Sequence, residues 1–474
     1  MRKVKIVCTM GPETAGVPRL VALIHAGMDV ARLNFSHGDY GGHRQMFDDI
    51  REASKHCGRP IAILADLCGP KIRVGNMKND ALELKKDQEV FLVPETPANK
   101  GMEGADGKIP HSYLPLARDV KAGERILLDD GLLELEVTGK QGEEVRCRVV
   151  VDGVLKTHKG MNLPGSSLST PALTEKDKAD IVFGCGLGVD YFALSFVRSA
   201  EDLHEAKRLA GEIPVIAKIE KPEAVEKLDA ILDAADGAMV ARGDLGVEAG
   251  QEKVPLIQKR IIHDIKLRAK PVITATQMLD SMIQNPRPTR AEVSDVANAV
   301  LDGTDAVMLS AETSVGKYPV EAVKTLHSII SEVEGSDYLS ELNEKQSHSL
   351  ENTFSNAVAD AIVHMGVRLQ LSAFAVYTES GRSAALVSAH RPKANIVSFS
   401  RHDSVLRRLS LYWGVKPLHG DWVHGVSGVV EQAEKELLRH QLVQPGDDIA
   451  ITFGMVIGNE PFQTNMIKLW KVRK

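Results

Sequence analysis

The chain has 474 residues, with 58 basic and 64 acidic side chains and a net charge of −6. That length suggests roughly two to four domains, and 43% hydrophobic residues give each of them enough apolar material for a core. A slightly acidic chain without basic runs is poorly suited to wrapping nucleic acid, and no stretch of about 18 residues is both apolar and uncharged, so neither nucleic acid nor a membrane is an expected partner.

The first twelve residues are basic, then briefly apolar, then broken at Gly11-Pro12, which reads as a first strand and not as a signal peptide. The five cysteines, Cys8, Cys57, Cys68, Cys147 and Cys185, are odd in number and widely spaced, and no C-x-x-C occurs. That pattern points to a reducing cytoplasmic setting without a disulfide framework or zinc site.

Residues 1–70 alternate short apolar runs (4–9, 30–33, 61–65) with helical patterns (18–26, 43–55), a βαβα order that implies a parallel sheet flanked by helices. Residues 71–163 carry only short alternating runs, at 81–84, 89–93, 125–128, 132–137 and 145–150, punctuated by Asp129-Asp-Gly131 and Asp152-Gly153. With no convincing helix between them, they predict a small inserted β-barrel or sandwich. From residue 173 the βα rhythm returns, with strands expected at 191–195, 214–219, 237–241, 271–275 and 306–309. Three strands before the insert and five after it give the count of a (β/α)8 TIM barrel. A polar stretch at 335–352 reads as a linker. A last open-sheet α/β domain follows, with a helix from 355 and strands at 373–377, 395–399, 449–453 and 465–471. The expected division is therefore a barrel domain at 1–70 and 164–340, a lid at 71–163 and a C-terminal domain at 350–474.

The predicted barrel strands end in Thr9, Arg32, Asp66, Ser195, Lys218, Arg242, Thr276 and Ser310. Such C-terminal strand ends are where barrels carry their chemistry. In Ile216-Ala-Lys-Ile-Glu220, Lys218 and Glu220 share one face of a strand, as a structural ion pair or as a working pair. Asp244 follows the next strand, and two carboxylates from neighbouring strand ends suit a hard divalent cation such as Mg2+. The lysine beside them can neutralise a phosphoryl group in transfer. The two glycines of Arg242-Gly-Asp-Leu-Gly246 make either an anion-binding helix start or a plain turn. Arg32, Asn34, Ser36 and Gly38 recur at period two, which places them on one side of an extended segment.

Several motifs together resemble the pyruvate kinase family over essentially the whole chain. They are Lys5-Ile-Val-Cys-Thr-Met-Gly-Pro12, Ala31-Arg-Leu-Asn-Phe-Ser-His-Gly38, Gly69-Pro-Lys-Ile-Arg73, Asn162-Leu-Pro-Gly165, Lys218-Ile-Glu220, Met239-Val-Ala-Arg-Gly-Asp-Leu-Gly246, Ala275-Thr-Gln-Met278, the 294–303 segment and Met308-Leu-Ser-Ala-Glu-Thr313. The resemblance implies transfer of the phosphoryl group of phosphoenolpyruvate to ADP, giving pyruvate and ATP. By the same resemblance Glu220 and Asp244 hold Mg2+, Lys218 stabilises the group in flight and Arg32 grips it. Gly243, Asp244 and Thr276 hold the substrate carboxylate. His37, Arg73 and Lys159, with Asn34, lie on the nucleotide side, where a second Mg2+ arrives with the nucleotide. Thr276, Ser310 and Glu312 serve the protonation step with water. Arg242 is expected among the cations around the anionic substrates.

The family's K+ ligands match Asn34, Ser36, Asp66 and the carbonyl of residue 67. The usual segment Asp-Thr-Lys-Gly-Pro-Glu-Ile-Arg reads here Asp66-Leu-Cys-Gly-Pro-Lys-Ile-Arg73, so Leu67 replaces Thr and Lys71 replaces Glu. An ammonium at Lys71 supplies the charge that K+ would bring, and a second cation about 4 Å away would be repelled by roughly 4 kcal/mol at an effective dielectric near 20. The pattern resembles the K+-independent branch of the family, so Mg2+ is expected to be required and K+ not.

In the C-terminal domain Thr378, Ser380, Gly381, Arg382 and Ser383 lie between a strand and a helix. They make a phosphate cradle for a sugar-phosphate or AMP effector, or an ordinary helix cap. The second loop expected to serve an effector, 453–465, carries Glu460 and Pro461 where the family is usually richer in glycine. The family also implies a homotetramer. Two rivals stand beside this reading: an Mg2+-dependent aldol lyase, which leaves Lys218, Arg73 and the lid without a purpose, and a catalytically dead sugar-phosphate sensor, which leaves Lys218, Glu220, Asp244 and Thr276 without one.

Overall fold

A computed structural model describes residues 2–99, 101–166, 168–339, 353–421, 425–454 and 464–473. Eight parallel strands close into a barrel: β1 (Lys5–Thr9), β2 (Val30–Asn34), β3 (Ala62–Asp66), β4 (Tyr191–Leu194), β5 (Val215–Ile219), β6 (Gly237–Ala241), β7 (Val272–Ala275) and β8 (Ala306–Leu309). Their order around the barrel follows the chain, and β1 closes on β8 through Lys5↔Ala306 to Cys8↔Leu309. All residues of β1, β3, β4, β6, β7 and β8 are buried, because one side packs the barrel interior and the other packs the surrounding helices. This is why these strands read as continuous apolar runs.

The helices start where the sequence provides caps. Asp39 accepts from the Gly42 amide at the start of α1 (Tyr40–Cys57), and Thr174 and Asp177 form a reciprocal capping box at the start of α2 (Glu175–Leu187). The helix α3 (Arg242–Ala249) follows β6 with no intervening residue, so its first turn sits at the barrel mouth.

Between β3 and β4 the chain forms a six-stranded sheet in the order Met161–Asn162, Arg125–Leu128, Leu133–Gln141, Glu144–Val151, Glu89–Pro94 and Lys108–His111, with two further two-stranded pairs. Val90, Leu92, Ile126, Leu135, Val145, Val149 and their neighbours form a core separate from that of the barrel. The sequence reading placed no helix here; Leu116–Asp119 is a single helical turn, too short for any periodicity to show.

The C-terminal sheet has five strands, β9 (Ala373–Tyr377), β10 (Asn395–Ser400), β11 (Val415–His419), β12 (Asp448–Phe453) and β13 (Met466–Lys471), in the order β11-β10-β9-β12-β13. The sequence reading missed β11. Its Val-Lys-Pro-Leu-His sequence contains a proline, which weakens the strand signal and which a sheet tolerates on the edge that β11 occupies. The two segments expected as a linker, 335–352, and as a second effector loop, 453–465, lie largely outside the described residues. No helix among the described residues is long and apolar enough to cross a membrane, and the five cysteines form no disulfide.

Candidate active site

The ends of β2, β3 and β5 bring four charged side chains, Arg32, Asp66, Lys218 and Glu220, into one buried cluster. Asp66 Oδ2 accepts from Arg32 Nε at 2.7 Å and lies 2.6 Å from Arg32 Nη2, while Asp66 Oδ1 lies 3.2 Å from Lys218 Nζ. Lys218 Nζ stands 2.9 Å from Glu220 Oε1 and donates to Ser195 Oγ at 2.7 Å. Lys218 and Glu220 therefore do share a face, as their spacing on β5 predicts.

The electrostatics follow from that geometry. Burial alone would drive the Lys218 ammonium toward neutrality, but the carboxylates of Asp66 and Glu220 outweigh it and hold the charge above the ordinary lysine range. Burial would also raise Asp66, yet Lys218 and Arg32 together hold its carboxyl below the usual range. Glu220 goes the other way. Burial and the nearby Asp244 push it up, and Lys218, shared with Asp66, only partly pulls it back.

Glu220 is 1% exposed. Its Oε2 accepts from the Phe196 amide at 2.8 Å, and Oε1 faces the ammonium without a well-formed hydrogen bond. Asp244 is half-buried in the first turn of α3. Two neighbouring carboxylates, one of them buried with an oxygen not fully satisfied, suit a divalent cation whose other ligands come from substrate and water.

Arg32 Nη1 also donates to Thr9 Oγ1 at 3.0 Å, and Thr9 Oγ1 donates to the Leu309 carbonyl, so β1, β2 and β8 are tied at the same level. Thr276 lies just beyond β7 and its Oγ1 accepts from the Gly243 amide at 2.8 Å. The amide expected to take a substrate carboxylate is thus held by the other residue expected to do so. Glu312, buried and with its carboxyl pushed up by that burial, accepts from the Leu279 amide at 3.1 Å and the Ser310 amide at 2.6 Å. Both of its oxygens fasten the loops after β7 and β8.

Two expectations need correction. Arg242 does not face the substrate side: its guanidinium turns to the Ala275 and Thr276 carbonyls and to Asp295, because α3 begins immediately at β6 and carries it sideways toward β7. The period-two face of Arg32, Asn34, Ser36 and Gly38 also ends early. The strand stops at Asn34, the His37 amide bonds back to the Asn34 carbonyl, and Gly38 has φ of 79°, so residues 35–38 are a turn.

The four groups matching K+ ligands are engaged by the protein's own donors or lie in that turn. Asp66 is shared by Arg32 and Lys218, the Leu67 carbonyl accepts from Ser195 Oγ at 2.7 Å, and Asn34 Oδ1 accepts from the Ser36 amide at 3.2 Å. Lys71 is exposed, and its charge, with Arg73 and Arg32, adds to partial burial in lowering the His37 pKa. His37 is therefore neutral among three cations. Arg73 Nη1 donates to the His158 carbonyl at 2.9 Å, and Lys159 Nζ pairs with Asp129 at 2.8 Å, so both cations expected on the nucleotide side are anchored within the inserted domain. A cleft of about 530 Å3, lined by Lys71, Asp130, Asn162, Phe196, Lys221 and Asp244, opens between the lid and the barrel mouth.

Several supporting residues were not singled out in the sequence. Lys176 donates to the Phe35 carbonyl at 2.7 Å, and Asp177 accepts from the Gly69 amide at 3.0 Å, so the start of α2 holds the loops after both β2 and β3. The Thr174–Asp177 capping-box spacing was the available signal. Gly69 has φ of 66°, and a Cβ there would stand 2.6 Å from the Phe196 ring. Lys221 and Glu248 form a buried pair at 2.6 Å, and the lid residue Asn162 donates to the same carboxylate oxygen at 2.9 Å.

In the C-terminal domain, Thr378 Oγ1 accepts from the Gly381 amide at 2.9 Å and Ser380 Oγ from the Arg382 amide at 3.4 Å. The Ser383 and Thr464 hydroxyls bond one another, and Arg382 reaches the Arg268 carbonyl of the barrel at 3.4 Å. The loop abuts a cleft of about 500 Å3 lined by Tyr377, Thr378, Glu379, Arg401, Asp421 and Gly454.

Comparison with known proteins agrees along the whole chain. The family profile for "Pyruvate kinase, barrel domain" matches residues 1–323, and that for "Pyruvate kinase, alpha/beta domain" matches residues 356–470. The chain is 47% identical to a pyruvate kinase of Geobacillus stearothermophilus, over 99% of this chain and 80% of that one. It is 45% identical to that of Bacillus licheniformis, over 100% and 81%, and 44% identical to that of Staphylococcus saprophyticus, over 99% and 80%.

Proposed function

Because the chain belongs to the pyruvate kinase family, we propose that the cluster around Lys218 moves the phosphoryl group of phosphoenolpyruvate to ADP, giving pyruvate and ATP, with Mg2+ and without K+. The observation that carries this reading is the position of Lys218, charged and buried between Asp66 and Glu220 and joined through Asp66 to Arg32. Two fixed cations at one barrel mouth suit a transition state that spreads negative charge over phosphoryl oxygens. Their orientation is set before substrate arrives, so little reorganisation is needed during reaction.

Glu220 and Asp244 would hold Mg2+, which when bound offsets the charge of substrate and phosphoryl oxygens. Arg32 binds and orients the phosphoryl group, using guanidinium donors that Asp66 and Thr9 already aim. Gly243, Asp244 and Thr276 take the substrate carboxylate, with the Thr276–Gly243 hydrogen bond exchanging for bonds to the ligand. Glu312 fixes the loops that carry Thr276 and Ser310, whose hydroxyls stand on the side where the enolate receives its proton. Arg73 and Lys159 make the nucleotide side positive, and His37 lies on that side as a neutral ring. The lid, residues 71–163, covers the mouth and excludes water, which protects the phosphoryl group from hydrolysis.

Independence from K+ is supported by the competition described above. Asp66 Oδ2, the Leu67 carbonyl and Asn34 Oδ1 already accept from internal donors, Asp66 Oδ1 lies 3.2 Å from the Lys218 ammonium, and the field of Lys71, Arg73 and Arg32 that lowers His37 also repels a further cation. We read the loop at Thr378, Ser380, Gly381, Arg382 and Ser383 as a phosphate cradle for a sugar-phosphate or AMP effector, and the chain as a cytoplasmic homotetramer. A coupled assay tests the activity: phosphoenolpyruvate consumption must match ATP formation and must require ADP. Consumption without ADP would mean a lyase, and none at all would mean a sensor.

A further inference from the structure

Thr276 has φ of 72° and Gln277 has φ of 53°. A β-branched residue at positive φ is an outlier, and two successive non-glycine residues in that region persist only where the surroundings over-determine them. The hold comes from Arg242. Its strand end is directly beside that of Thr276, since Ala241 pairs with Ala275 in the register of β6 and β7. Arg242 Nε donates to the Ala275 carbonyl at 3.2 Å and Nη2 to the Thr276 carbonyl at 2.6 Å, with Nη2 also 2.9 Å from Met278 Sδ. Nη1 meets Asp295 Oδ1 at 2.7 Å, which fixes the guanidinium from behind, and the Arg242 side chain is 11% exposed.

We propose that Arg242 is a positioning residue for the reaction: its guanidinium holds the Thr276 backbone in the left-handed turn that aims the Thr276 hydroxyl at Gly243 and the substrate. The inference rests on the reading of Thr276 as a substrate-side group. The same turn sets both ends of the hydroxyl's bonding, because Thr276 Oγ1 donates to the Ala275 carbonyl at 2.6 Å and accepts from the Gly243 amide at 2.8 Å. Arg242 and Gly243 are adjacent in sequence, so the side chain of one and the amide of the next grip the carbonyl and the hydroxyl of the same residue. A planar fork reaches two successive carbonyls and Asp295 together; a lysine ammonium on a flexible stem does not.

A double-mutant cycle tests this. Arg242→Gln and Arg242→Lys should each lower kcat roughly thirtyfold, as a small misplacement of a reacting group does, with the KM for ADP within about threefold of wild type. In a Thr276→Ala background the Arg242→Gln change should cost less than about threefold, because residues acting as one unit are not additive. Equal losses in both backgrounds would overturn the proposal while leaving the reading of Thr276 intact. A Thr276→Ala enzyme with unchanged kcat would overturn that reading and the proposal with it. Should Arg242→Gln fail to fold, Asp295→Ala, which leaves the arginine in place, is put through the same cycle. A loss of roughly threefold or more confined to the Thr276 background supports the proposal, and an absent or additive loss overturns it.

Discussion

Lys218 Nζ stands 2.9 Å from Glu220 Oε1, with the lysine side chain 12% exposed and the glutamate 1%. The ammonium is thus held against the buried carboxylates beneath it, and in the function proposed above it also faces the group in transfer. Lys218→Met should cut kcat by roughly a thousandfold, the scale of losing one pre-aimed charge, and change the KM for phosphoenolpyruvate far less. It should also lower stability by about 3 kcal/mol, because Glu220 and Asp66 lose their shared partner while staying buried. Coupled assays and urea unfolding measure the two effects. A variant of wild-type stability would mean that the cluster is not buried as described.

Potassium should leave the rate unchanged within about twofold when KCl is added to a tetraalkylammonium buffer, because internal donors already engage the groups that would bind it. Lys71→Glu removes a cation beside His37 and adds an anion. That variant should lose activity without KCl and regain at least part of it with KCl. Strong activation of the wild-type enzyme by K+ would sink this account of Lys71.

The barrel was legible because its strands are buried on both sides and each one ends in a polar residue that the topology carries to one face. Lys218 and Glu220 were legible for the same reason: alternation along a strand fixes their common side. Arg242 was misread because sequence position places a side chain at the mouth without saying which way it turns, and that direction depends on two carbonyls of the next strand. Ser36 and Gly38 were misread because a period of two looks the same in a strand and in a short turn. The roles of Lys176 and Asp177 in holding the loops after β2 and β3 left no local signal beyond a cap, since the partners lie more than a hundred residues away.

The C-terminal loop makes a clear prediction. The Thr378 and Ser380 hydroxyls now bond the loop's own amides, so a phosphate would have to replace those bonds with its oxygens. A ligand at a hundred times its Kd adds about 2.7 kcal/mol to stability, enough to raise the melting temperature visibly. Thermal-shift measurements with a panel of sugar phosphates and AMP should show at least one such rise, abolished by Ser383→Ala together with Arg382→Ala. No rise with any compound would make the loop a helix start and nothing more.

Asp190 joins the barrel to the C-terminal domain. Its Oδ2 accepts from Arg51 and from the Ile63 amide, each at 2.8 Å, and its Oδ1 accepts from Arg407 of the C-terminal domain at 2.8 Å. Asp190→Ala leaves two guanidinium groups facing each other, at a cost of about 3 kcal/mol. The residue precedes β4 and so lies at the opposite end of the barrel from the active site. Calorimetry should show a lower melting temperature, while kcat at ambient temperature stays within about twofold of wild type. A large fall in kcat with unchanged melting would contradict this placement.

His111 in the lid gives a pH dependence whose sign is fixed by its surroundings. Its side chain is fully buried, Nδ1 accepts from the Tyr113 amide at 3.2 Å, and Nε2 has no hydrogen-bond partner among the described residues. The ring is thus held neutral with its proton on Nε2, and a second proton on Nδ1 would point at an amide donor. Burial pushes the pKa from 6.5 down to about 4. Between those values the unfolded chain binds a proton that the folded chain refuses, so the contribution of His111 to stability is full above pH 6.5 and drains away as the pH falls toward 4. The shift corresponds to a loss of roughly 3 kcal/mol at most. Urea unfolding of wild type and His111→Leu, compared at neutral and at mildly acidic pH, isolates this group from the carboxylates that titrate alongside it. The variant should gain on the wild type as the pH drops. A stability difference that does not change with pH would show that the ring takes up its proton as readily in the folded lid as in the unfolded chain.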